Sequence, residues 1–128
     1  MSNFDKVVSS LRYLDLHPDV TEYNWRELIQ KTTYLNQALG MDIDYNFTIY
    51  VHGPYSPALT RDYYAQPEKF EMPEPAYQLN NREIERLNKI KNCCGILENS
   101  QLMEAASTSV FLIRAGLIND DELIRKIR

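Results

Sequence analysis

Tyr50-Val51-His52-Gly53-Pro54-Tyr55-Ser56-Pro57 is the stretch on which the reading of the fold turns. Upstream of it, Tyr45, Phe47, Ile49 and Val51 alternate with Tyr50 and other residues, the period-two pattern of an extended segment. Gly53-Pro54 stops that segment, because proline has no ladder donor and glycine accepts a sharp turn. Ser56-Pro57 then restarts the chain as a helix. Serine is a favoured N-cap, and proline suits the first helical position, where its missing N–H would be unbonded anyway. The sequence therefore predicts an extended piece turning abruptly into a helix over residues 57–66, ended by Pro67. Gly53, Pro54, Ser56 and Pro57 are its structural motif.

Working outward, helices dominate. Val7, Val8, Leu11 and Leu14 recur at helical spacing, and His17-Pro18 marks the exit of a first helix over about residues 3–15. A second helix is expected to start at an Asn24 cap, with Glu27 as box partner and Tyr23 and Leu28 as staple. Its apolar stripe is Trp25, Leu28, Ile29, Thr32, Leu35 and Leu39, with Gly40 as C-terminal cap. Three prolines between residues 67 and 75 argue against a helix and suit a projecting loop. Residues 76–79 are expected to return as a strand beside part of 45–51, an order close to a winged-helix arrangement.

Asn80 with Glu83, and Leu79 with Ile84, repeat the box and staple ahead of a helix that buries Ile84, Leu87, Ile90, Cys94 and Leu97. Asn99 or Ser100 opens another helix through Ala115, with Leu102, Ala105, Ala106, Val110, Leu112 and Ile113 apolar. Asn119, Glu122, Ile118 and Leu123 announce a short terminal one. The expected architecture is one α-rich domain over residues 1–128, mainly α, with five to six helices and a small two-stranded β element.

Composition narrows the function. The net charge is −4 among 128 residues, so the overall field disfavours nucleic acid and anionic membranes. No stretch approaches the ~20 apolar residues of a membrane span, and the N-terminus lacks a secretory hydrophobic core. Cys93 and Cys94 are sequence neighbours and read as free thiols in a reducing cytoplasm. With two cysteines and two distant histidines, no metal site is expected, and the four isolated glycines form no phosphate loop, so no cofactor is expected either.

His52 is the best catalytic candidate by residue type. Catalysis would need a nucleophile and an oxyanion donor beside it, and Ser56 is claimed as a cap, so the expectation is a chain without enzymatic activity. As a DNA reader, the helix over 57–66 would bring only Arg61, beside Asp62, where groove readers bring several polar and basic residues. A winged-helix-like DNA-binding regulator is thus the second reading. The first is protein interaction, because Tyr50, Tyr55, Tyr63 and Tyr64 cluster along the turn and the helix after it, and tyrosine is favoured at interfaces. His52 and Arg61 complete that candidate surface.

Arg26-x-x-x-Gln30-Lys31-x-x-Tyr34-Leu35, Gly40, and Tyr45-x-Phe47-x-x-Tyr50-x-x-Gly53-Pro54-Tyr55-Ser56-x-x-Leu59-x-x-Asp62 form a pattern that resembles small YwgA-like proteins of bacteria and archaea. A second match is Leu102-Met103-Glu104-Ala105-Ala106-Ser107-Thr108, followed by Gly116 and Asp120-Asp121-Glu122. These proteins are similar to the SocA-like, or Panacea, antitoxin domain. The resemblance implies a non-enzymatic interaction domain, antitoxin-like or acting as a proteolytic adaptor, whose partner is a protein toxin or a protease. Thr32 and Thr33 depart from it, standing where relatives carry a more apolar pair.

Overall fold

The computed structural model describes residues 2–93, 97 and 99–116. Its elements run α1 (Asn3–Tyr13), α2 (Tyr23–Ala38), β1 (Thr48–Tyr50), β2 (Gly53–Tyr55), α3 (Pro57–Ala65), a 3-10 helix (Pro67–Glu71), α4 (Asn81–Lys91) and α5 (Ser100–Arg114). The protein is mainly helical with one small two-stranded antiparallel sheet, as the sequence predicts. The terminal helix expected around Asn119, and the placement of Cys94, lie outside the described residues.

α1 opens on a capping box between Ser2 and Asp5 and closes before His17. Asp15 takes φ +61°, Leu16 N–H bonds the Leu11 carbonyl, and Asp15 N–H bonds that of Arg12, the paired bonds of a Schellman ending. α2 ends the same way with Gly40 at φ +113°, so the glycine cap read from sequence is present. Its start is not where the sequence placed it. α2 begins at Tyr23 with Glu22 as N-cap and no side-chain cap bond, so Asn24 lies inside the first turn.

Beyond α2 the chain is irregular, with Ile43 N–H bonded to the Met41 carbonyl and Asp44 at φ +59°, and Met41, Ile43 and Tyr45 are buried at every second residue. They join Phe4, Val7, Val8 and Leu11 of α1, Ile29, Leu59, Tyr63 and Phe70 in one buried cluster. A second cluster gathers Leu14, Leu35, Leu87, Ile90 and Met103 between α2, α4 and α5. Inward alternation ends at half-buried Phe47. Ile49 and Val51, expected on the same side as Tyr45, are 40% and 90% exposed.

The partner of the extended segment also differs. β1 pairs with β2 immediately after it, Thr48 opposite Tyr55, Ile49 opposite Pro54 and Tyr50 opposite Gly53. Residues 76–79 form no strand, and the strands precede α3 rather than flank it. The physical reason is Gly53: neither Val51 nor His52 has positive φ, and the left-handed step falls on Gly53 at φ +112°, closing a tight hairpin. The prolines of 67–75 do not prevent a helical turn either. Pro67 sits at its first position, Phe70 is buried edge-on against Phe4 at 5.6 Å, and Arg12 donates to the carbonyls of Phe70, Met72 and Pro73.

α4 has the predicted capping box, Asn80 Oδ1 accepting from Glu83 N–H and Glu83 Oε1 from Asn80 N–H, both at 2.9 Å. It ends at Lys91, so Leu97, expected on its buried face, lies beyond it and packs half-buried against the second cluster. α5 starts at an Asn99 cap, but its buried line is Met103 and Ser107, and Leu102 and Ala105 face outward.

Candidate functional site

The hairpin is held by its inner strand. β2 packs on both α2 and α5, whereas β1 leans chiefly on β2. Gly53 makes that seating possible: a Cβ built there would lie 2.9 Å from Thr108 Oγ1 and 3.6 Å from Ser107 Oγ of α5. The short side chains of Ser107 and Thr108 on α5 thus admit the hairpin backbone.

Gln30 of α2 fixes the exit from the hairpin. Its Oε1 accepts from Ser56 N–H at 2.9 Å, and its Nε2 donates to the Ser56 carbonyl at 3.2 Å and to Thr60 Oγ1 at 2.8 Å. Fully buried Ser56 accepts from Leu59 N–H, so its hydroxyl is the helix cap and Pro57 is the first residue of α3, as the sequence indicates. Buried polar groups are tolerable only when bonded in this way.

Next to Gln30, Lys31 buries its ammonium stem beneath the hairpin and pairs with Glu27 one turn earlier, Nζ to Oε2 3.1 Å. His52 at the turn lies with Nδ1 3.4 Å from Glu104 Oε1 of α5, and its ring meets Tyr23 edge-on at 6.1 Å. Tyr23, Glu27, Lys31, His52, Met103 and Glu104 line a cavity of about 140 Å³. Partial burial, with the Glu27 carboxylate nearby, raises the Tyr23 phenol above its ordinary pKa.

The six sequence candidates for an interaction surface fall into two groups. Tyr50, His52 and Tyr55 stand together on the hairpin, the Tyr50 and Tyr55 rings stacked at 4.8 Å and 24°. They are diagonal neighbours on one face, with no side chain on the intervening Gly53. Arg61 and Tyr64 are exposed on α3 and line none of the grooves beside the hairpin. Tyr63 is 2% exposed and belongs to the core, which raises its pKa by burial; it presents nothing to a partner. Helical spacing explains this: Leu59 and Tyr63, four apart, share the inward face, and Tyr64 is turned away from it.

Sequence reasoning missed Tyr23, Glu27, Lys31 and Glu104 as neighbours of the hairpin. One signal was available, the i,i+4 spacing of Glu27 and Lys31 on a helix. Glu104 comes from a distant helix, and nothing local links it to His52. Chemically, the arrangement offers an exposed apolar and aromatic tip on a rigid base. Among the described residues, no group of three or more His, Cys, Asp and Glu side chains is placed to hold a metal ion, and no helix is long and apolar enough to cross a membrane. Comparison with models of known protein families, with curated protein sequences and with solved structures gave no match.

Proposed function

We propose that the chain is a non-enzymatic protein-interaction module acting in the cytoplasm, antitoxin-like or proteolytic-adaptor-like, with the hairpin as its contact surface. One observation carries this reading: Ile49, Tyr50 and Val51 are exposed at the tip of a hairpin whose base is locked by Gln30 and seated on α5. Exposed apolar side chains scattered singly mean little, but Ile49, Tyr50 and Val51 are consecutive and so expose apolar surface on both faces of the hairpin, with Tyr50 stacked on Tyr55. A rigid aromatic patch loses little conformational entropy on binding, which favours tyrosine anchors at interfaces. The resemblance to YwgA-like and SocA-like proteins supports a toxin or a protease as the partner.

A photo-crosslinking residue at Val51 in the native host, with a second at Glu68 as control, tests this. The expected result is a specific adduct from Val51 whose purified partner binds the isolated chain. Tyr50→Ala should then weaken that binding by about thirtyfold, the size of an aromatic hot spot. Adducts confined to the Glu68 position, or equal affinity of the Tyr50→Ala chain for its purified partner, would refute the assignment.

A further inference from the structure

We propose that the outer edge of β1 takes up an extended peptide segment of the partner protein as a third strand, the peptide carrying apolar residues at alternate positions. This rests on the hairpin being the contact surface and specifies how contact is made. Pro54 has no N–H, so the Ile49–Pro54 pair is necessarily the non-hydrogen-bonded one of the ladder, and the pairs on either side of it carry the bonds. The N–H and C=O of Ile49 therefore both point away from β2, and no hydrogen bond to either is present among the described residues.

Native proteins blunt such edges with proline, lysine or bulges. Thr48-Ile49-Tyr50 has none of these, and all three residues are exposed. The strand is also preorganised, since β2 is wedged between α2 and α5 and the Tyr50–Tyr55 stack fixes the pair. A groove of about 650 Å³ runs along the hairpin, walled by Ile49, Pro54 and Tyr55 and by Glu27 and Gln30 of α2. A peptide paired with Ile49 would send alternate side chains into that groove and the intervening ones over the Tyr50 ring.

A second copy of the chain fits less well. A symmetric pair would centre on Ile49 with the same two bonds a peptide gains there, but it would set two chains of net charge −4 against each other, whereas a peptide need carry no such charge and can lay further side chains along the groove beside α2.

Selection of displayed random linear peptides against the intact chain tests the proposal, followed by amide hydrogen exchange and affinity measurement with a selected peptide. Enriched peptides should alternate apolar and other residues, and their binding should slow exchange of the Ile49 amide at least tenfold. Ile49→Pro removes the outward N–H without touching a bond to β2, so it should weaken the peptide about tenfold while Ile49→Val retains it. Replacing the Ile49 amide by an ester gives the same readout should Ile49→Pro disturb the hairpin. An unprotected Ile49 amide, or an ester variant of full affinity, overturns strand addition. If such a peptide is still lost on Tyr50→Ala, the hairpin surface survives as a side-chain contact; if Tyr50→Ala is also neutral, the surface itself is refuted. Failure to select any peptide also overturns strand addition, as does a concentration-dependent dimer abolished by Ile49→Pro.

Discussion

Gly53→Ala tests the joint on which the site depends, and its cost separates into two parts. The first is conformational. At φ +112° an alanine is strained wherever it is placed, at about 1–2 kcal/mol. The second is steric: the new methyl would stand 2.9 Å from Thr108 Oγ1, closer than real Cβ atoms come, and overpacking of this kind costs about 1–3 kcal/mol. The expected loss is therefore about 2–5 kcal/mol, a large fraction of the 5–15 kcal/mol typical of a domain. A double-mutant cycle divides the two, because Thr108→Ala removes the clashing atom and leaves the backbone of residue 53 unchanged. In that background Gly53→Ala should cost only the conformational part, leaving a coupling equal to the steric part, about 1–3 kcal/mol. Urea unfolding followed by circular dichroism gives all four stabilities, provided the m-values agree. An effect of Gly53→Ala below about 0.5 kcal/mol would mean that the left-handed turn is not required. A full-sized effect unchanged by Thr108→Ala would mean that the hairpin does not rest on α5 there.

Three further perturbations address other parts of the frame. Gln30→Ala deletes three hydrogen bonds and strands the buried Ser56 N–H, so a loss of about 2–4 kcal/mol in urea unfolding is expected; a loss under 1 kcal/mol would show that the clamp is replaceable. Asn80→Ala should cost about 1 kcal/mol through its capping box, whereas Asn24→Ala should lie within about 0.5 kcal/mol of the parent, since Asn24 caps nothing; equal effects would contradict the start of α2 at Tyr23. Asp5 is held below its ordinary pKa of 3.8, first by its bond from Lys69 Nζ at 2.7 Å and then by Ser2, against a desolvation effect that raises it. A carboxyl depressed in the folded state contributes stability that is complete above its unfolded pKa and is lost as pH falls through the folded one. Lys69→Met should therefore flatten the decline of stability below about pH 4; an unchanged acid limb would remove the Lys69 bond from the account.

The parts legible in the sequence were those whose cause is local. Ser56-Pro57, Asn80 with Glu83, and Gly40 each specify a helix end through atoms within a few residues, and each is found where expected. Asn24 had the same residue spacing without the same outcome, because the helix starts two residues earlier than an Asn24 cap would place it, at Tyr23, and leaves the asparagine inside it. A box pattern states that a cap is available, not that the chain uses it. Apolar periodicity failed in a related way at Ile49 and Val51. Alternation predicts which residues share a side, but burial of that side depends on what lies opposite, and past Phe47 the hairpin tip extends beyond the core.

The site was the least legible part, because its contacts are long-range. Gln30 and Lys31, the 53–56 stretch, and Ser107 and Thr108 are far apart in the sequence, and the fold brings them to a single junction. Gln30 bonds the backbone of Ser56, and Gly53 rests against Thr108, so each segment constrains another. Lys31 and Gln30 lie buried side by side on α2 beneath the hairpin, and each has its polar group answered, by Glu27 and by Ser56. The same reciprocity accounts for an exposed Ile49-Tyr50-Val51. A chain that only had to fold could have turned these apolar residues inward or shortened the hairpin. Instead the junction holds the hairpin from beneath, through residues more than twenty positions apart, and leaves its outer strand exposed.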